Sequence, residues 1–145
     1  MELQYLPATP SDIDIIYQQC EELILRYEDL STIDCEKVLH WVRNKITECI
    51  GSYTCVYLSG KKAGFFRFVP NNGKMELDDL YILPQFRDRG IGTTILQQCC
   101  LQATQPIMLY VFTQNTRAIT LYKRMGFRIQ NNVSHTRCIM IRETL

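Results

Sequence analysis

The chain has 145 residues, 46% of them hydrophobic, and 16 basic against 15 acidic side chains give a formal net charge of +1. That length fits one compact domain over residues 1–145, and near-neutrality argues against a protein that works by neutralising nucleic-acid phosphates. No window reaches the roughly eighteen consecutive apolar residues of a membrane span, and Met1–Gln4 lacks a signal peptide's basic start. A soluble cytoplasmic chain with no membrane or nucleic-acid partner is therefore expected.

Leu3 to Leu6 reads as a first strand. Thr9-Pro10-Ser11-Asp12 then supplies a helix start, with a capping hydroxyl, proline at the first helical position and an acid in the first turn. Ile13, Ile16, Tyr17, Cys20, Ile24 and Tyr27 follow at helical spacing, as do Cys35, Val38, Leu39, Val42, Ile46, Cys49 and Ile50. Two amphipathic helices are predicted, joined by the polar stretch Glu28 to Asp34. From Tyr53 the pattern changes to an antiparallel meander: Tyr53 to Leu58, Phe65 to Val69 and Met75 to Leu83, separated by turns at Ser59–Lys62 and Pro70–Gly73. A helix from about Gly90 to Ala103 precedes the fully apolar strand Ile107 to Phe112, which is expected to be central. Ala118, Leu121, Tyr122 and Met125 mark a last helix that Gly126 ends, and Phe127–Ile129 with Arg137–Ile141 forms a closing hairpin.

Seven cysteines are an odd number, none forms a C-x-x-C pair, and only two histidines, His40 and His135, accompany them. Neither a disulfide framework nor a metal site is expected; the cysteines read as small buried hydrophobes and the histidines as ordinary residues. Charge is uneven. Residues 1–50 hold ten acidic and four basic residues, a net −6, and the remainder carries 12 basic and five acidic, a net +7.

The basic part contains Arg87-Asp88-Arg89-Gly90-Ile91-Gly92, placed where an apolar strand (Leu80, Ile82, Leu83) turns into a helix (Thr93 to Gln102). A helix start leaves N–H groups without intrahelical partners and carries the positive end of the helix dipole, so an anion is the expected ligand. Gly90 and Gly92 let phosphates approach that backbone. A second string, Asn115-Thr116-Arg117-Ala118-Ile119-Thr120-Leu121-Tyr122-Lys123-Arg124-Met125-Gly126-Phe127, follows some twenty residues later.

Together the two strings, with the element order β-α-α-β-β-β-α-β-α-β-β over nearly the whole chain, resemble the GNAT acetyltransferases. The resemblance implies an α/β (α+β) fold with a central mixed, mostly antiparallel sheet flanked by helices. It also implies an enzyme that transfers the acetyl group of acetyl-CoA to a primary amine by direct attack, without metal. Carried over from the family, Leu80, Tyr81 and Ile82 give backbone hydrogen bonds to the pantetheine arm, and main-chain groups of Arg87, Asp88, Arg89, Gly90, Ile91, Gly92 and Thr93 receive the pyrophosphate. Asn115 caps its helix and contacts the cofactor. Tyr122 holds the position of a tyrosine whose hydroxyl meets the CoA sulfur and protonates the departing thiolate; a phenol with pKa near ~10 keeps its proton at neutral pH.

An alkyl amine of pKa near ~10.4 must lose a proton before it attacks, which calls for a carboxylate. Glu76 is where some family members place this base. By strand alternation Glu76, Asp78, Leu80 and Ile82 share a face, and Asp79 would need a bulge to join them. The same carboxylates also read as a solvated strand end beside Gly73. Other members use a glutamate in the stretch here reading Leu109-Tyr110-Val111, which lacks one. A catalytically inactive CoA-binding sensor is the alternative reading; a dinucleotide oxidoreductase is disfavoured because Gly-x-Gly-x-x-Gly is incomplete. The acceptor is expected to be a small-molecule or peptide amine, drawn by the acidic N-terminal region with Glu21, Glu22, Glu28 and Asp29 foremost. A homodimer would fit the family's habit.

Overall fold

The computed structural model describes residues 1–144. Eleven elements follow the predicted order: β1 (Leu3–Pro7), α1 (Ile13–Tyr27), α2 (Cys35–Cys49), β2 (Tyr53–Leu58), β3 (Lys61–Asn71), β4 (Lys74–Ile82), α3 (Ile91–Gln102), β5 (Ile107–Phe112), α4 (Thr116–Arg124), β6 (Arg128–Asn132) and β7 (Arg137–Arg142). Helix starts lie where local chemistry puts them. The Thr9 N–H donates to Asp12 Oδ2 (2.8 Å), Asp34 Oδ1 accepts from the Lys37 N–H (3.2 Å), and Asn115 Oδ1 accepts from the Ala118 N–H (3.3 Å). Asp12 is buried, and Lys62 of β3 pairs with it.

The strands form one seven-stranded sheet in the order β1-β2-β3-β4-β5-β7-β6. Every pairing is antiparallel except β4–β5, which is parallel because α3 crosses between the two strands. That pairing holds for two residue pairs only, Met75↔Ile107 and Glu76↔Met108. Beyond Glu76 the two strands part, and the β4 edge from Leu77 to Ile82 has no strand partner on that side.

One expectation for β4 is corrected. Arg67 pairs with Asp78 and Phe65 with Tyr81, so Asp79 and Leu80 together oppose Phe66, and Asp79 has φ 56°. This is a bulge, which restarts the alternation. Asp78, Asp79 and Tyr81 lie on the face that α2 covers, while Leu80 and Ile82 are turned to the other face rather than sharing the side of Glu76 and Asp78. The contacts agree: Lys45 of α2 reaches Asp78 and Asp79, whereas Gly92 of α3 backs onto Ile82.

The core lies on both faces of the sheet. Ile16 and Ile46 join α1 and α2 to it from one side, and Ile91, Ile95 and Leu96 bring α3 from the other, all 0–1% exposed. Each such side chain contributes about 1.5–3 kcal/mol on burial. Gly64 is required by close approach: a Cβ there would lie 2.3 Å from the Tyr81 carbonyl oxygen. β5 lies inside the sheet as predicted, but Tyr110 is 42% exposed while its neighbours Leu109 and Val111 on the opposite face are buried. All seven cysteines are free, with Cys55, Cys99 and Cys138 buried. Among the described residues no helix is long and apolar enough to cross a membrane.

Candidate active site

Where β4 and β5 diverge, a cavity of about 360 Å³ opens. Leu80, Tyr81 and Ile82 form its β4 wall, the loop and first turn of α3 (Arg87, Asp88, Gly90 to Thr93) its rim, and Asn115, Ala118, Leu121 and Tyr122 of α4 the opposite side. Leu23, Arg26 and Tyr27 reach it from α1.

The rim presents free backbone donors and positive charge. Gly90 has φ 78° and caps α3 without any side-chain acceptor, and the first intrahelical bond runs from the Thr94 N–H to the Gly90 carbonyl (3.0 Å). The N–H groups of Ile91, Gly92 and Thr93 therefore have no intrahelical partner. Nothing lies within 4 Å of the position a Cβ would take at Gly90. At Gly92 that position faces Leu121 at 3.4 Å, so this glycine serves the close approach of α3 and α4. Arg26, Arg87, Arg117 and Arg124 all line the cavity, against one acid, Asp88.

Arg87 folds inward. Its Nε donates to the Ile82 carbonyl (3.1 Å), its Nη2 to the Tyr81 hydroxyl (2.7 Å), and its guanidinium lies 5.1 Å from the Tyr81 ring centroid. Tyr81 in turn stacks on Phe65 at 5.8 Å. The side chain is thus a strut that fixes the end of β4 to the turn. Arg89 lies over Phe86 at 5.3 Å, outside the cavity lining, and exposed Asp88 pairs with Arg117 to link the turn to α4.

Tyr122 is buried on α4 with its ring against Phe127 at 5.7 Å, and it lines the cavity. Burial, reinforced by the negative charge of Asp79, pushes its hydroxyl up to about 12. Such a phenol stays protonated across the physiological range.

The carboxylates divide. Glu76 is half-buried at the last β4–β5 pair and accepts a hydrogen bond from Asn71 Nδ2 (2.9 Å). Asp78 accepts from Lys45 and from Arg67 Nη1 (3.2 Å), and burial together with the Asp79 charge raises its pKa. Asp79 accepts from the Tyr53 hydroxyl (2.5 Å) and from Lys45 Nζ (3.2 Å). Burial disfavours the Lys45 ammonium, but Asp79 and Asp78 outweigh it and hold its pKa above the usual lysine value. Neither Glu76 nor Asp78 lines the cavity.

Of the acids foremost in the N-terminal region, Glu21 accepts from the Tyr17 hydroxyl (3.2 Å) and Glu22 pairs with Arg26 (3.3 Å). Glu28 accepts from Thr136, and Asp29 accepts from His135 (2.9 Å). The exit of α1 is thereby tied to the β6–β7 turn, and His135 has a defined partner that its lone place in the sequence did not foretell. Sequence reasoning also missed Arg26, Lys45 and Arg124. Lys45 left one trace: it falls three residues after Val42 and four before Cys49, on the margin of an apolar stripe.

Strands β4 and β5 part where α3 begins, and the two sequence strings lie on either side of the cavity between them. The chain belongs to the GNAT acetyltransferase family, whose sequence model matches residues 16–127. It is similar to an uncharacterized N-acetyltransferase of Methanocaldococcus jannaschii, 32% identical over 88 residues, covering 53% of this chain and 38% of that protein. It is also similar to the thialysine N-epsilon-acetyltransferase of Mus musculus, 37% identical over 54 residues, covering 34% of this chain and 32% of that one. The chain thus matches well under two thirds of the length of these relatives. Among solved structures, the PaiA N-acetyltransferase of Thermoplasma acidophilum in complex with coenzyme A has a TM-score of 0.71 at 19% identity over 99% of each chain. An N-acetyltransferase of Staphylococcus aureus has a TM-score of 0.74 at 15% identity over 95% of this chain and 99% of that one. These likenesses give the fold.

Proposed function

We propose that the chain is an N-acetyltransferase that uses acetyl-CoA and a primary amine. The observation that carries this reading is the placement of buried Tyr122 in the same cavity as the uncapped start of α3. Acetyl-CoA supplies the thioester; this chain's residues hold, orient and move protons. The N–H groups of Ile91 to Thr93 and the surrounding arginines hold the pyrophosphate. The unpartnered β4 edge at Leu80–Ile82 takes the pantetheine arm as an added strand would be taken. Asn115 caps α4 and so fixes where Tyr122 stands.

The neutral amine attacks the thioester carbonyl directly, the C–S bond breaks, Tyr122 gives its proton to the departing sulfur, and the proton that the nitrogen sheds as the amide forms restores the Tyr122 hydroxyl. Glu76, with Asp78 second, removes the ammonium proton through water. Asp78 is held by two cations, so Glu76 has the freer carboxylate. No cysteine enters: burial pushes the Cys55 thiol up to about 11 and Cys99 up to about 12, which keeps both protonated and poorly nucleophilic.

A panel of primary amines assayed for thiol release from acetyl-CoA tests the reading. Amine-dependent release with a mass gain of one acetyl group on the acceptor is expected. Tight acetyl-CoA binding with no transfer across the panel would instead mark a cofactor-binding module.

A further inference from the structure

We infer that Arg137 recognises a carboxylate on the acceptor amine, so that the acceptor belongs to the amino-acid class; this rests on the acetyltransferase reading. Arg137 opens β7 directly opposite Phe112 of β5, and its guanidinium lies 5.0 Å from the Tyr110 ring centroid and 6.0 Å from that of Phe112. Tyr110 and Phe112 are two apart on one strand and share a face, so together they form an aromatic shelf under a planar cation. The shelf leads to the reaction cavity. Phe112 packs on Tyr27 at 5.8 Å, and Tyr27 lines that cavity.

Ring faces take up no N–H donors in conventional hydrogen bonds, so a guanidinium held over them keeps a planar fork of donors that matches the two oxygens of a carboxylate. Carboxylates from the neighbouring elements are committed elsewhere: Asp29 to His135, Glu28 to Thr136 and Glu143 to Arg128. Among the described residues Arg137 has no ion-pair partner, and it is only half-buried, so an acceptor can reach it. The Glu28 and Asp29 links bring the α1 exit to the β6–β7 turn, so that Arg137 begins its strand beside the end of α1, whose Tyr27 lines the cavity.

The test compares matched pairs that differ only by the carboxylate, L-lysine with cadaverine and L-phenylalanine with phenethylamine, in wild type, Arg137→Gln and Arg137→Lys. A hydrogen-bonded charge pair of this kind corresponds to roughly 10- to 100-fold in kcat/KM. Wild type should favour the carboxylated member of at least one pair by that factor, mainly through KM. Arg137→Gln should close the gap by weakening the carboxylated member, and Arg137→Lys should restore part of it. Acetyl-CoA affinity by calorimetry should match wild type in both variants, since Arg137 does not line the cofactor cavity. Equal use of both members by wild type, a preference that survives Arg137→Gln, or an equal loss for both members overturns the proposal. Absence of acetyl-CoA binding in wild type overturns the underlying reading as well.

Discussion

The two strands on either side of the split in the sheet start side by side at Glu76 and Met108 and then differ in backbone and in side chains. The β4 wall is bulged, carries three acids within four residues and presents bare backbone to the gap. The β5 wall is regular and aromatic, and it shows side chains, Tyr110 and Phe112, topped by a cation from β7. Bare backbone suits a ligand that is the same in every member of a family, because main-chain groups cannot be changed by substitution. Side chains on the other wall are free to vary and can set which acceptor is used.

Five perturbations would break or sharpen this contrast. The largest is Tyr122→Phe, expected to lower kcat by about 10²- to 10⁴-fold, the range of general acid catalysis, with little change in acetyl-CoA affinity. A wild-type rate in pre-steady-state assays would remove Tyr122 from the chemistry. Glu76→Gln comes next, with a loss of about 10²-fold in kcat/KM at unchanged acetyl-CoA affinity; an unchanged rate would hand the base role to another group. Gly90→Val forces a branched residue into a left-handed conformation costing about 1–2 kcal/mol and crowds the free N–H groups. Calorimetry should show cofactor affinity reduced about 10-fold with the domain still folded.

Asp79→Asn should act through pH. The Asp79 charge adds to burial in raising the Tyr122 pKa, so its removal lets Tyr122 lose its proton at lower pH. The alkaline limb of kcat should move downward in pH; an upward move or none would disconnect Asp79 from Tyr122. Smallest is Arg117→Ala, which cuts an exposed pair with Asp88, at 66% and 82% side-chain exposure, and should change stability by no more than about 1 kcal/mol in urea titration.

The two walls were also unequally legible. Everything local could be read from the sequence: Asn115 is a cap because its side chain bonds three residues ahead, and β5 spans Ile107–Phe112 as predicted because its apolar run is bounded by turn residues. The glycine turn that starts α3 was legible for the same reason, since it consists of consecutive residues. What failed was whatever depends on distant chain. Strand alternation missed the bulge, because Asp79 is held at positive φ by Tyr53 and Lys45, 26 and 34 residues away. Arg87 was read through its main-chain groups, and the side-chain bonds it makes to the Ile82 carbonyl and the Tyr81 hydroxyl left no trace in the sequence. Arg137 left no motif, because the rings beneath it belong to a strand more than twenty residues earlier.

The brevity of the β4–β5 junction also bears on how the protein assembles. β2, β3 and β4 are consecutive hairpin partners, so most of the first half-sheet rests on local contacts that form quickly. The second half-sheet has β7 inserted between β5 and β6, and it meets the first at only two residue pairs. Native-state hydrogen exchange should therefore divide the molecule along this seam, with amides of β2 and β3 slowest and those of Leu77 to Ile82 that face the gap opening first. The seam beside the cavity is then also the boundary between two cooperative units, and a ligand bridging it would slow exchange on both sides at once.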